Sequence, residues 1–220
     1  AGSAIFFIGA IPILLLRGPG LKPPAPGETG PASMVRAARL APAAILAGLV
    51  FGALETGVFS LMPVYAERLG FTEVMVGLLV ATGAFGAIAL QIPVGRFADA
   101  AGRLTTLRLI AGAAVILALA IALAGAHAWL VFPLVFVYVG LASAFYTVGL
   151  ALMGERVRMG ELATANAAFI FAYGVGSLIG PPLAGAAMDG FNPYGLMAAF
   201  AAFAALYLVI AWREKDIAKH

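Results

Sequence analysis

Glu55 is the one ionisable residue that lies deep inside a long apolar stretch of this sequence. A charge at that depth in hydrocarbon costs about 2.5–3.5 kcal/mol on insertion scales, so the side chain must face a cavity or a partner. Removal from water disfavours the ionised form, which suits a group that takes up and releases protons. The other reading is a protonated Glu that bonds a neighbouring helix for packing. A second set of groups falls at helical spacing: Gly140, Ser143, Tyr146 or Thr147, and Leu150. Such a stripe can line a solute path, or its hydroxyls can bond back to backbone. Tyr173 joins the candidates, with Asn166, Thr82 and Gln91 as weaker ones. Phe51 and Phe59 are read as packing residues.

Covalent chemistry has no template here. No Gly-rich loop ending in Gly-Lys-Ser/Thr occurs, so ATP does not drive the chain directly. No Ser-His-Asp set and no pair of carboxylates can be assembled. The absence of cysteine removes thiolate chemistry, and His127 has no second His, Cys or carboxylate spaced to share a metal. No catalytic residue, metal or cofactor is assigned, and the chain is not read as an enzyme.

The elements that must position Glu55 follow from composition. The 220 residues are 63% hydrophobic and 10% charged, with mean hydropathy +1.05, against roughly 25% charged residues in soluble domains. Lipid must therefore be the solvent. Six spans are expected, at about 40–64, 73–95, 105–126, 129–152, 163–188 and 194–212. They must be helices, because an open strand in hydrocarbon leaves backbone groups unpaired. The breaks are read at 67–73, 96–104, 125–128, 154–161 and 189–193. Residues 1–16 read as the end of a truncated membrane helix, 17–38 as a Pro- and Gly-rich linker too broken to be helical, 39–212 as the bundle and 213–220 as a polar tail. Small residues repeat at Gly48/Gly52 and Gly176/Gly180, spacing that lets helix backbones approach closely. Trp129 and Trp212 fall at span ends, where interfacial anchors belong.

Twelve of the 13 Lys and Arg residues lie at alternate breaks or in the tail; Arg68 alone lies on the other side. This positive-inside bias puts the basic loops, the linker and the C-terminus in the cytoplasm. The net charge of +3 comes from those loops and is no sign of nucleic acid; the lipid bilayer, with its anionic headgroups, suffices as partner.

Two segments are more specific. The break after the second span runs Gly95-Arg96-Phe97-Ala98-Asp99-Ala100-Ala101-Gly102-Arg103-Leu104, with Leu107 beyond, and Gln91-Ile92-Pro93-Val94 before it. It resembles the loop motif of the major facilitator superfamily at Gly95, Phe97, Ala98, Asp99, Gly102, Arg103 and Leu107, and departs from it at Ala100 and Leu104, where basic residues are usual. Two glycines permit a tight turn, and Asp99 can pair with Arg or cap a helix. The resemblance implies a conformational latch of Gly95, Asp99, Gly102 and Arg103. The fifth span carries Gly176-Ser177-Leu178-Ile179-Gly180-Pro181-Pro182-Leu183-Ala184-Gly185, similar to a Gly-Pro signature of antiporters in that superfamily, with Ala184 in place of a Gly. Pro181 is expected to bend this helix, and Gly176, Gly180 and Gly185 to pack it against a neighbour.

The resemblance covers the whole chain but half of the expected protein: the end of helix 6 and helices 7 to 12. It implies an all-α integral membrane bundle of six helices, multi-pass in a bacterial inner membrane. The function expected is secondary active transport of a small solute by alternating access, with proton-coupled efflux as the mode. The missing N-terminal half would complete the cavity around Glu55, Ser143, Tyr146, Thr147 and Tyr173. The alternatives are an uptake or facilitated-diffusion carrier for a polar metabolite, and a membrane scaffold or enzyme without a visible catalytic cluster.

Overall fold

A computed structural model describes residues 31–214. A short helix α1 (Pro31–Leu40) leads into α2 (Pro42–Arg68), α3 (Glu73–Ala89), α4 (Gln91–Ala101), α5 (Arg103–Ala124), α6 (Ala128–Arg156), α7 (Leu162–Gly190) and α8 (Gly195–Arg213). With α3 and α4 taken together, six of these stretches are long and apolar enough to cross a membrane. The six expected spans are all there, and no strand occurs among the described residues.

Local chemistry sets the breaks. Thr72 accepts the Met75 N–H at 3.4 Å and starts α3 with Glu73 in the first turn. Between α3 and α4 the regular helix is interrupted at Leu90; the ring of Pro93 conflicts with the carbonyl four residues back, at Ala89, where α3 stops. Two sequence readings are corrected here. The helix runs on through 96–101, because Ala98, Ala100 and Ala101 favour it, so Arg96 and Asp99 stand on α4 rather than in a loop. Residues 31–38 are helical as well: Pro31 takes the first helical position, where its missing N–H costs nothing. The remainder of the linker, residues 1–16 and the tail beyond Glu214 lie outside the described residues.

α2 packs most extensively along α7, and α6 touches α2, α3 and α5. α8 closes the bundle against α5, α7 and α2. Glycines make two close crossings. A Cβ on Gly176 would run into the Leu49 carbonyl, one on Gly52 into the Tyr173 carbonyl, and one on Gly180 into Ala53. The two small-residue pairs read from the sequence thus lie in one α2–α7 crossing, each glycine against residues of the other helix, with Gly48 against Phe169. Gly86 of α3 and Gly140 of α6 make the second crossing, with the Gly86 carbonyl 2.7 Å from where a Gly140 Cβ would sit. α7 continues as one helix through Pro181 and Pro182. Gly185 takes no part in close packing, since a Cβ there would meet only Leu61 side-chain atoms at 3.9 Å and 4.0 Å.

Candidate transport site

Glu55 stands thirteen residues from each end of α2, with about 20 Å of helix on either side. Its partner comes from α7: the Tyr173 hydroxyl donates to Glu55 Oε2 at 2.7 Å. The glycine crossing explains the reach. Backbones touch at Gly52 and Tyr173, so a phenol projecting from α7 spans the remaining gap to a carboxylate three residues along α2. Beside it, Ser177 Oγ donates to the Gly52 carbonyl at 3.4 Å. The mid-span carboxylate and the tyrosine singled out from sequence are therefore brought together.

Rings surround the pair. Phe51 lies 5.5 Å from Tyr146 and 5.8 Å from Tyr173 between centroids. Tyr146 meets Tyr173 edge-on at 6.3 Å and Phe169 edge-on at 5.4 Å. Phe51 and Phe169 are buried, while Glu55, Tyr146 and Tyr173 are half-buried and keep an open side. All these side chains lie seven to thirteen residues from the ends of α2, α6 and α7 at which Pro42, Arg156 and Leu162 stand. They share one depth in the bundle. Sequence reasoning took Phe51 as packing and passed over Phe169. The signal was present: Phe51 precedes Glu55, and Phe169 precedes Tyr173, by the four residues that put side chains on one helix face.

The stripe expected on α6 divides. Gly140 faces α3 at the Gly86 crossing, and Ser143 turns its hydroxyl back to the Gly140 carbonyl at 2.8 Å. Tyr146 alone joins the cluster around Glu55; Thr147 is exposed beside it. Thr82 donates to its own helix at Leu78, and Asn166 and Gln91 are exposed.

The motif around Asp99 is built on Arg103. Its Nη1 reaches Glu155 Oε1 at 2.8 Å and the Ala151 carbonyl at 3.0 Å, tying α5 to the end of α6. Asp99 lies 3.8 Å from Arg103 Nη2 across the α4–α5 turn, with its side chain 72% exposed. Gly102, at φ +91°, makes that turn in a backbone region other residues avoid. Gly95 sits inside α4 with open space around it, so the turn uses one glycine, not two.

Two ionic clasps were not foreseen. At the end where α6 and α8 finish, Glu214 pairs with Arg156, and its Oε2 accepts the Ala43 N–H at 2.6 Å. Arg108 donates there to the Ala211 and Glu214 carbonyls and lies 5.7 Å from the Trp212 ring centroid. At the opposite end Arg68 pairs with Asp189 at 2.8 Å and donates to Asn192 at 3.1 Å.

A six-span bundle with one carboxylate at mid-membrane defines an integral, multi-pass membrane protein. The sequence comparisons specify which kind. The family model described as Major Facilitator Superfamily matches residues 1–141 and, in a second match, 44–219. The chain belongs to that family of membrane transporters. It is 30% identical over 170 residues to proteins named uncharacterized MFS-type transporter YcaD, among them those of Salmonella newport (strain SL254) and Salmonella heidelberg (strain SL476). The match takes in 77% of this chain and 42% of each relative, so the chain spans less than half the length of the relatives it matches.

Proposed function

We propose that the chain is the C-terminal six-helix half of a secondary transporter that couples efflux of a small solute to protons, with the partner half completing the cavity. The reading rests on the 2.7 Å bond from Tyr173 to Glu55, midway along α2. An ionised Glu55 accepts a charge-assisted hydrogen bond from the phenol; protonation weakens that bond. The proton thus acts on the link between α2 and α7 beside their glycine crossing. Helices that separate or close at this level expose the site to one side of the membrane or the other. The basic helix ends and the clasp at Glu214 would face the cytoplasm of a bacterial inner membrane, following the charge bias.

The test uses the full-length protein in proteoliposomes with an imposed proton gradient. Glu55→Gln should abolish gradient-driven accumulation while solute binding remains measurable. Accumulation at the unsubstituted rate would leave Glu55 as a packing residue. Solute movement indifferent to the gradient in the unsubstituted protein would make it a facilitated-diffusion carrier instead.

A further inference from the structure

We infer that α1 is a docking helix for the bilayer surface, its outward face binding anionic phospholipid headgroups at the basic end of the bundle. α1 stops at Leu40; after Ala41, at φ −138° and ψ 63°, α2 begins its membrane span at Pro42. The helices packed against α1 are α7 and α2. Arg36 lies 3.4 Å from Glu161, the residue just ahead of Leu162, where α7 starts. α1 is thus held level with the ends of two membrane-crossing helices, at the depth of lipid headgroups.

The two sides of α1 differ. Met34 and Ala38 are half-buried and Ala41 is fully buried, so that side turns to the bundle. Val35, Arg36, Arg39 and Leu40 are exposed, and helical spacing sets them side by side on one face. A face bathed in water gains nothing from Val35 and Leu40, which are 51% and 43% exposed. A face bathed in hydrocarbon would strand two guanidinium groups. The boundary between headgroups and acyl chains satisfies both kinds of residue: the arginines reach phosphates, and their apolar neighbours enter the chains.

Charge selects the lipid. α1 contains no acidic residue. Arg39 has no ion-pair partner among the described residues. Arg36 turns Nη2 to Glu161 with its side chain still 65% exposed, which leaves N–H donors for a phosphate. Arg158, exposed in the turn just ahead of Glu161, adds a third guanidinium at the same level. Within residues 31–40 and 157–161 the one carboxylate is Glu161. An anionic headgroup supplies the negative charge that is short here, whereas a zwitterionic one brings no net charge. A phosphate that takes Arg36 also competes with Glu161 for it, so the charge of the bilayer is felt at the start of α7.

The experiment places the full-length transporter in vesicles of phosphatidylcholine, alone or mixed with phosphatidylglycerol. This chain has no cysteine, so Val35→Cys carries a single polarity-sensitive fluorophore on α1, any cysteine elsewhere in the protein being replaced. Its emission should move to shorter wavelength in the anionic vesicles, and lipids brominated along their acyl chains should quench it there. Added salt should weaken the shift, because exposed charges are screened. Arg36→Gln combined with Arg39→Gln should abolish it. Glu161→Gln, which leaves Arg36 to the lipid alone, should produce it at a smaller share of phosphatidylglycerol. The same emission in both kinds of vesicle overturns the inference, and so does a shift that survives both salt and the double substitution. A label shielded from brominated lipid and from aqueous iodide alike means that protein covers this face, which overturns the lipid site as well. The salt comparison needs no substitution beyond the label, so it decides the matter where the double variant fails to fold.

Discussion

Arg156 and Glu214 form an ion pair sealed inside the end of the bundle, their side chains only 7% and 12% exposed. The pair closes four helices at once. Arg156 ends α6, Glu214 follows α8, the same carboxylate accepts the Ala43 N–H in the first turn of α2, and Arg108 of α5 donates to the last carbonyls of α8. The first N–H groups of α2 have no acceptor within their own helix, so a carboxylate there fills an obligatory vacancy and complements the helix dipole. The clasp holds α2, and Glu55 with it, at a fixed height against α6.

Glu214→Ala should destabilise the protein by about 3–5 kcal/mol, because it removes the carboxylate paired with a buried guanidinium. Replacing both members, Arg156→Met with Glu214→Leu, should recover much of that loss, since neither charge is then stranded. Thermal unfolding in detergent distinguishes the two. A double variant no more stable than Glu214→Ala would mean that the cap on Ala43, not the ion pair, carries the stabilisation.

The glycine crossing makes a sharper comparison. A methyl on Gly176 runs into the Leu49 carbonyl, so Gly176→Ala must push α7 away from α2. Overpacking of this kind costs about 1–3 kcal/mol, and here it also stretches the Tyr173–Glu55 bond. Gly185→Ala meets only the Leu61 side chain at 3.9 Å and should be close to neutral. Transport and melting temperature should fall together for Gly176→Ala and hold for Gly185→Ala. Equal effects would remove the crossing as the cause.

Tyr138 offers a test of the core. Its ring is fully buried and stacks on Phe200 at 6.1 Å, but its hydroxyl has no hydrogen-bond partner. A buried donor left unpaired costs about 1–3 kcal/mol, so Tyr138→Phe should hold or raise stability. A clear fall in melting temperature would show that the hydroxyl is satisfied by water.

How much of this was legible in the sequence depended on whether a feature is local. The spans were, because hydropathy reads length directly, and so was Glu55, because a single charge in an apolar run stands out. The paired glycines of α2 and α7 were legible as helix-packing stripes, and both pairs do lie in the crossing of those helices. The ring cluster was legible only in part: the four-residue spacing puts Phe51 on the face of Glu55 and Phe169 on that of Tyr173, but only the fold brings three helices around one carboxylate. Glu214 was hidden for a different reason. It sits in a polar segment that reads as solvated tail, and only the return of α8 beside the start of α2 gives its charge a buried partner. The α4 boundary failed because Gly95 looked like a turn residue, whereas the alanines around Asp99 continue the helix.

That displacement of Asp99 onto α4 sharpens the expectation for the motif. Its side chain forms an ion pair with Arg103 at 3.8 Å, exposed and across a turn, which contributes about 0–1 kcal/mol. Arg103 is anchored independently by Glu155 and the Ala151 carbonyl. Asp99→Asn should therefore leave the melting temperature of the full-length protein nearly unchanged, whereas Arg103→Ala should lower it. If Asp99 is a latch, its exposed carboxylate acts on a partner outside this bundle, and only in one conformation. Its loss then shifts the conformational equilibrium and slows turnover, with the intrinsic solute affinity preserved. Labelling of a cysteine placed in the cavity on the basic side reads that shift directly, with expression held equal. Unaltered labelling and turnover in Asp99→Asn would reduce the residue to a solvated helix end, and the role of the motif would pass to Arg103 alone.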